Sequence, residues 1–253
     1  MTIVNHQEKC LFVHVLKNGG TYVNNVLTKY YNFISTISYD LSVLSSVKCD
    51  IGDKSMYVNN LLLVYKNKRY SEYTKFGFVR NPYTKFISGV NFIQKTTLNN
   101  QQINEKQINE QQIKLRQKIS EEFINMTISD FISKKDIIPI NMYNHIFVKQ
   151  TECLYFDNVL QVDRCYRFEN LQDELTELTK TFVSDYGEVD FINDPTLKKN
   201  ETNVKDPFYT QYDEAIFNFV NEWFAEDFVK FGYTKFETFQ EFLDFYSSNN
   251  NNL

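Results

Sequence analysis

The pair Gly19-Gly20 constrains the fold of this chain more than any other feature. Only seven of the 253 residues are glycine, and two of them stand side by side here. The apolar run Leu11–Val15 precedes the pair and is rich in β-branched and aromatic residues, which predicts a buried strand. After the pair, the segment Val23–Tyr30 carries apolar residues at i, i+3, i+4 and i+7, the spacing of one helix face. We therefore predict a strand, a tight loop and a helix.

A second junction of the same kind follows at residues 76–82. Phe76–Val79 is predicted to be a strand, and Asn81 and Pro82 are typical of a helix cap and a first helical position. Arg80 lies between that strand and that helix. Because strands and helices alternate along the chain, we expect an α/β fold of three layers, with a mainly parallel central sheet flanked by helices.

The rest of the chain contributes fewer regular elements. A strand is predicted at 159–168, a helix at 172–183 and a long helix at 209–230. We expect a single domain over residues 1–253, with a polar helical insertion at about 98–122 and a frayed tail at about 246–253. The insertion is predicted because its isoleucines stand five residues apart and so form no apolar stripe on a helix.

Composition excludes several functional classes. A net charge of −5 argues against a nucleic-acid-binding protein. The four cysteines show neither a C-x-x-C pair nor the spacing of zinc ligands, so no metal site is predicted. No apolar run approaches the roughly 18 residues that a membrane span needs. With no recognisable leader at its start, the chain is expected to be cytoplasmic.

The loop around the glycine pair has the features of an anion site. A turn that opens a helix points backbone N–H groups at one spot, where the positive end of the helix dipole also lies. Lys17 adds a full charge, and Thr21 adds a hydroxyl. These features predict a phosphate cradle; the alternative is that the glycines form only a tight turn.

The order of these residues differs from that of a nucleotide-hydrolase P-loop. That motif reads G-x-x-x-x-G-K-[ST], with its lysine after the glycines. Here Lys17 precedes both glycines, and Val15 stands where the first glycine of the motif would be. The sequence therefore argues against a magnesium-dependent kinase or ATPase.

Four segments of the chain resemble, in the same order, those of sulfotransferases that use 3′-phosphoadenosine 5′-phosphosulfate (PAPS). FVHVLKNGGTYV looks like their 5′-phosphosulfate-binding loop, and FGFVRNPYTKFISGV is similar to their 3′-phosphate-binding segment. HIFVKQTECLYFDNVLQVDRCYRFENL and LKKNETNVKDPFYTQYDEAIFNFVNEWFAEDFVKFGY resemble two later family segments. The resemblance implies the P-loop-NTPase-like sulfotransferase fold. It is greater to the branch that contains carbohydrate sulfotransferases than to the branch acting on phenols and steroids.

The resemblance also implies which residues hold the nucleotide. The 5′-phosphosulfate would be bound by Lys17, Asn18, Gly19, Gly20, Thr21 and Tyr22. The 3′-phosphate would be bound by Arg80 and Ser88. A loop closing over the nucleotide would contribute Lys199, Asn200 and Thr202. The chain departs from the family pattern at Leu16, which replaces a proline, and at Tyr22, which replaces a small Ser or Thr.

The function implied is in-line transfer of a sulfuryl group from PAPS to a hydroxyl acceptor, here a carbohydrate, without a metal. Lys17 would stabilise charge on the leaving phosphate, and 3′-phosphoadenosine 5′-phosphate (PAP) would be the product. The general base is left open between Asp53, which would need desolvation to raise its pKa, and His145. His14 is expected to be a buried histidine on the same strand face as Phe12.

Two other functions remain open from the sequence. A catalytically inactive nucleotide- or glycan-binding protein of the same fold is one, because no histidine stands in the segment where related enzymes place a base. An unusual phosphotransferase is the other. The sequence predicts neither the identity of the acceptor nor the oligomeric state.

Overall fold

The structure is a computed structural model that describes residues 2–35, 61, 64–100, 123–197 and 207–249. Its strands are β1 Ile3–Asn5, β2 Cys10–Val13, β3 Ile34–Ser35, β4 Thr74–Val79, β5 Tyr155–Phe156, β6 Val159–Leu160 and β7 Arg164–Arg167. Its helices are α1 Gly20–Tyr30, α2 Pro82–Asn100, α3 Ile128–Ser133, α4 Ile140–Ile146, α5 Gln150–Leu154, α6 Leu171–Lys180, α7 Val183–Tyr186, α8 Glu214–Trp223, α9 Ala225–Phe231 and α10 Phe239–Asn249. Short 3₁₀ turns lie at Lys68–Tyr70, Phe168–Asn170 and Phe208–Gln211.

The chain divides into two compact units. The first comprises Met1–Asn81 and Val148–Glu201, and the second comprises Pro82–Phe147 and Thr202–Leu253. The single domain expected from the sequence stays a prediction. Most of the polar insertion lies outside the described residues, which stop at the end of α2 and resume at Phe123. None of the described helices is long and apolar enough to cross a membrane.

The first unit contains a mixed five-stranded sheet in the order β3-β1-β2-β4-β7. Strand β4 pairs in parallel with β2 and with β7, whereas β1 pairs antiparallel with β2 and β3. The expectation of a mainly parallel sheet therefore holds only for the β2-β4-β7 part. The short turn between β1 and β2 is the physical reason, because a connection of a few residues can join only antiparallel strands.

Helices flank this sheet. Side chains alternate between the two faces of a strand, so Phe12 on β2, Phe76 on β4 and Tyr166 on β7 share one face. They pack in one buried cluster with Val23 of α1 and Leu175 of α6. Burial of such a side chain stabilises the fold by roughly 1.5–3 kcal/mol. On the opposite face, a Cβ built on Gly77 would lie 3.3 Å from Leu154 of α5.

The second unit is held together by a core of aromatic rings. The Tyr83 ring lies 4.8 Å from the Phe228 ring and 4.9 Å from the Phe242 ring, between centroids. Its hydroxyl donates to Asn221 Oδ1 at 2.5 Å. A Cβ on Gly89 of α2 would lie 2.5 Å from the His145 carbonyl oxygen, so glycine is needed where α4 contacts α2.

Three boundaries predicted from the sequence are corrected. The helix predicted at 209–230 is divided into a 3₁₀ turn, α8 and α9, because the Asp213 side chain accepts from Ile216 N at 2.7 Å and starts a new helix there. The strand predicted at 159–168 is two short strands, β6 and β7. The tail predicted to fray from 246 is helical to Asn249, because the Tyr246 ring packs 4.7 Å from the Phe208 ring.

A half-buried carboxylate joins α1 to the segment after α7. Asp194 Oδ2 accepts from Lys29 Nζ at 2.5 Å and from the Tyr30 hydroxyl. Its Oδ1 accepts from Thr196 N at 2.9 Å and from Thr196 Oγ1 at 2.8 Å. These hydrogen bonds, that of Lys29 first, hold the pKa of Asp194 well below the ordinary value of 3.8. The ionised carboxylate therefore stabilises the folded state above pH 3.8, and this stabilisation is lost as pH falls below it.

We expect Asp194→Asn to lower the thermal unfolding midpoint at pH 7, because the amide cannot replace the charge that Lys29 binds. The difference between wild type and variant should shrink as pH falls from about 5 to about 3, since the Asp194 carboxylate of the unfolded wild-type chain binds a proton near the ordinary pKa of 3.8 while that of the folded protein stays ionised. Thermal unfolding at pH 7, 5 and 3 measures this. A difference that stays constant across the three pH values would contradict it.

Candidate functional site

Three loops meet at one edge of the sheet in the first unit. Because β2, β4 and β7 are parallel, their carboxyl ends lie at the same edge. The Arg80 guanidinium, just after β4, donates from Nη1 to the Lys17 carbonyl oxygen at 3.0 Å. Its carbon lies 4.1 Å from the centre of the Phe168 ring, just after β7. Arg80 and the glycine loop, singled out separately in the sequence, are thus in direct contact.

The loop between β2 and α1 has the backbone conformation of an anion site. Lys17 and Gly19 are left-handed, with φ of +70° and +74°. Gly19 is followed directly by the helical Gly20, and this alternation turns successive N–H groups toward one side. Among the described residues, no side chain caps α1, and its first turn holds no acidic residue. The positive end of the α1 dipole is therefore not neutralised by any described carboxylate in that turn.

Neither glycine of the loop has room for a side chain. A Cβ on Gly20 would lie 2.0 Å from His14 Cδ2, and one on Gly19 would lie 2.9 Å from Phe168 and Leu171. The His14 ring stacks on Phe12, with centroids 6.0 Å apart and planes 17° apart. The side chain lies on the same strand face as Phe12, as the sequence predicted, but it is half-buried where a buried histidine was expected. His14 therefore packs between the strand and the helix that the loop joins.

A buried pair of amides ties this loop to the end of β4. Asn18 is 1% exposed, and its Nδ2 donates to the Phe78 carbonyl oxygen and to Gln150 Oε1, both at 2.7 Å. The same Gln150 oxygen accepts from Arg80 N at 2.7 Å. Gln150 Nε2 donates to the Arg80 carbonyl oxygen at 2.8 Å. Loop and arginine are thus joined twice, by the guanidinium and by the amide pair.

Comparison with known families identifies the family of the chain. The model of the Sulfotransferase family matches residues 1–234, which include the glycine loop, Arg80 and Gln150. The chain belongs to the Sulfotransferase family. Comparisons with curated proteins and with solved structures found no match. Family membership assigns the chain to the transferases that move sulfuryl groups, in agreement with the resemblance drawn from its motifs.

Thr21 and Tyr22, two further predicted loop residues of this sulfotransferase, follow Gly20 in the first turn of α1. Thr21 is exposed, so its hydroxyl is accessible to a ligand. Tyr22 is only 6% exposed and packs in the core cluster under α1, with its N–H donating to the Gly19 carbonyl oxygen at 2.9 Å. Burial first, then the nearby Asp194 carboxylate, raises the pKa of Tyr22. The larger residue at this family position thus serves the core through its ring.

The other predicted site residues of the sulfotransferase lie elsewhere in the chain. Ser88 is half-buried on α2, and His145 lies on α4 with its ring 4.4 Å from that of Phe92. Both belong to the second unit. The remaining predicted residues lie outside the described ranges; they are Asp53, Lys199, Asn200 and Thr202. Their assigned roles stay predictions.

Three residues of the site were not singled out from the sequence. They are Gln150, Phe168 and Glu169. Glu169 Oε1 accepts from Asn81 N at 2.7 Å, which ties the loop after β7 to the residue that precedes α2. All three lie in the segment HIFVKQTECLYFDNVLQVDRCYRFENL, so the family resemblance was the available signal.

Proposed function

We propose that this sulfotransferase uses PAPS as its donor and transfers the sulfuryl group to the hydroxyl of a carbohydrate. The observation that carries the proposal is the contact between Arg80 and the Lys17–Gly20 loop. This contact brings two cationic residues, Lys17 and Arg80, to one edge of the sheet, beside a loop whose backbone conformation suits an anion. A nucleotide with phosphate groups at both its 5′ and 3′ ends requires two such anchors.

The described residues fit the donor at its 5′ end. Gly19 and Gly20 present backbone without side chains, so a phosphate oxygen can approach the N–H groups of α1 closely. Lys17 supplies the cation, and the exposed Thr21 supplies a hydroxyl. The strand–loop–helix order supports our proposal of a P-loop-like fold, although the lysine precedes the glycines.

Arg80 is the proposed anchor of the 3′ end. A guanidinium has five N–H donors, and the bond to the Lys17 carbonyl oxygen uses one of them. The Phe168 ring under the guanidinium fixes its plane. A planar, oriented cation of this kind suits the bidentate binding of a phosphate. Ser88 is proposed as a second group for the same phosphate.

The transfer chemistry assigns a role to each class of group. The donor supplies the sulfur atom and a phosphate as leaving group; the acceptor oxygen bonds to sulfur, the sulfur–oxygen bond to the phosphate breaks, and the acceptor proton passes to a base. Lys17 Nζ and the loop N–H groups stabilise the charge that develops on the phosphate. Asp53 and His145 remain the proposed bases. A hydroxyl acceptor needs one, because its proton must leave as the new bond forms.

The carbohydrate acceptor is proposed from the resemblance of the four segments to that branch of the family. The net charge of −5 favours a neutral glycan or small alcohol over a heavily sulfated polymer, since like charges repel. Within the described ranges, no three His, Cys, Asp or Glu side chains group as a metal site. Metal independence is proposed from the resemblance to the PAPS-dependent sulfotransferases, and the EDTA in the assay below tests it.

The direct test is transfer of labelled sulfate from PAPS to a panel of neutral glycans and simple alcohols in the presence of EDTA. We expect labelled product from at least one glycan. Thermal stabilisation by PAP without transfer to any acceptor would indicate the inactive binding protein. Stabilisation by ATP and magnesium, but not by PAP, would indicate a phosphotransferase and refute the proposal.

A further inference from the structure

Gln150 holds the glycine loop and the Arg80 segment through a single atom. It is the first residue of α5 and is fully buried, at 0% exposure. Its Oε1 accepts from Asn18 Nδ2 in the loop and from the backbone N of Arg80, each at 2.7 Å. One acceptor oxygen therefore sets the distance between two segments that leave different strands.

The nitrogen of the same amide also binds Arg80. Gln150 Nε2 donates to the Arg80 carbonyl oxygen at 2.8 Å, so the side chain binds Arg80 through both its N–H and its C=O. Asn18 is fixed in turn, because its Nδ2 also donates to the Phe78 carbonyl oxygen at 2.7 Å. Neither the backbone of Arg80 nor the side chain of Asn18 can shift without breaking a buried hydrogen bond.

We infer that Gln150 is a positioning residue that sets the spacing between the two phosphate anchors, without contacting the nucleotide. The inference rests on the proposed function, in which the loop binds the 5′ end and Arg80 binds the 3′ end. A ligand that occupies both anchors binds more tightly when the spacing is fixed, because the two segments do not have to be ordered on binding. A ligand that occupies the 5′ anchor alone does not depend on the spacing.

This dependence distinguishes positioning from a role in stability alone. Loss of a buried amide destabilises a fold wherever the amide lies, since its partners are left without hydrogen bonds. Loss of stability by itself does not weaken the binding of one ligand more than that of another. Only loss of the spacing weakens the binding of PAP, which has both phosphates, more than the binding of adenosine 5′-phosphate (AMP), which has one.

The experiment measures the dissociation constants of PAP and AMP by calorimetry for wild type and for Gln150→Leu. We expect wild type to bind PAP at least about tenfold more tightly than AMP, the effect of one charge-assisted hydrogen-bond site. We expect Gln150→Leu to lose most of this preference, mainly through weaker PAP binding. Gln150→Asn, which keeps an amide but is one methylene shorter, should fall between the two. It also serves if the leucine variant does not fold.

Asn5→Leu is the matched control. Asn5 lies in the same unit, is 1% exposed and makes three hydrogen bonds of its own, to Tyr31, Tyr186 and Glu8. This variant should be destabilised yet keep the wild-type preference for PAP. If the Gln150 variants also keep that preference, the positioning role is wrong and the proposed function stands. If wild type binds neither ligand, the proposed function itself fails.

Discussion

Lys17→Ala should lower the turnover of sulfuryl transfer by about 10²–10³-fold, the usual effect of removing one fixed donor from a developing oxyanion. The substitution removes the cation alone. The carbonyl oxygen of residue 17, which accepts from Arg80 Nη1, remains in place. Steady-state transfer of labelled sulfate from PAPS measures the effect, which should appear in kcat more than in KM because the charge develops during the reaction.

Lys9→Ala is the control for this substitution. Lys9 is also a lysine with a left-handed backbone, at φ +48°, so both changes place alanine in the same strained region. It lies at the opposite end of β2 and forms an exposed ion pair with Glu72. We expect Lys9→Ala to keep wild-type turnover. If Lys17→Ala retained full turnover, the proposed role of the lysine would be wrong.

Gly20→Ala should destabilise the protein and weaken PAP binding together. The new Cβ would lie 2.0 Å from His14 Cδ2 and 2.2 Å from His14 Nε2, so the ring or the loop must move. Forcing a methyl group into packed space costs about 1–3 kcal/mol of the free energy of unfolding. Displacement of the loop also disturbs the N–H groups at the start of α1. Thermal unfolding and PAP titration measure the two effects.

Removing the histidine ring should reverse the sign of this effect. In a His14→Ala background, the three ring atoms that lie within 2.8 Å of a Cβ at position 20 are removed. Alanine is then the better helix residue, by up to about 1 kcal/mol. We expect Gly20→Ala to be neutral or stabilising in that background, a strong non-additivity between two residues in contact. Equal destabilisation in both backgrounds would show that the clash with His14 is not the cause.

The two strand-to-helix junctions were predictable because their signals are local. Gly19-Gly20 and the Asn81-Pro82 step each stand between an apolar run and a helical pattern, within about ten residues. The structure has β2 and α1 on either side of the first junction and β4 and α2 on either side of the second. The shared strand face of His14 and Phe12 followed from strand alternation, which also needs no tertiary information.

The antiparallel part of the sheet was not predictable in the same way. Strand β1 has three residues and β3 has two, too few to show a period of two. Both are strands because they pair with neighbours: Val4 pairs with Leu11 and with Ile34. A mixed sheet was therefore observed where the alternation of longer elements had indicated a mainly parallel one.

Gln150 shows why part of the site could not be predicted from local sequence. It lies 132 residues from Asn18 and 70 residues from Arg80 along the chain, so no window of sequence contains the interaction. Nothing in its own segment separates a buried connecting amide from a surface glutamine. Only the fold, which brings α5 against the carboxyl ends of β2 and β4, assigns it a partner in each loop.

Calorimetric titration of the wild-type protein with PAP in EDTA tests most directly whether the two anchors form one nucleotide site. We predict saturable binding of one PAP per chain without divalent metal. The Arg80→Ala variant should bind PAP at least about tenfold more weakly, through loss of a charge-assisted contact. Absence of PAP binding, or binding that Arg80→Ala leaves unchanged, would contradict the account.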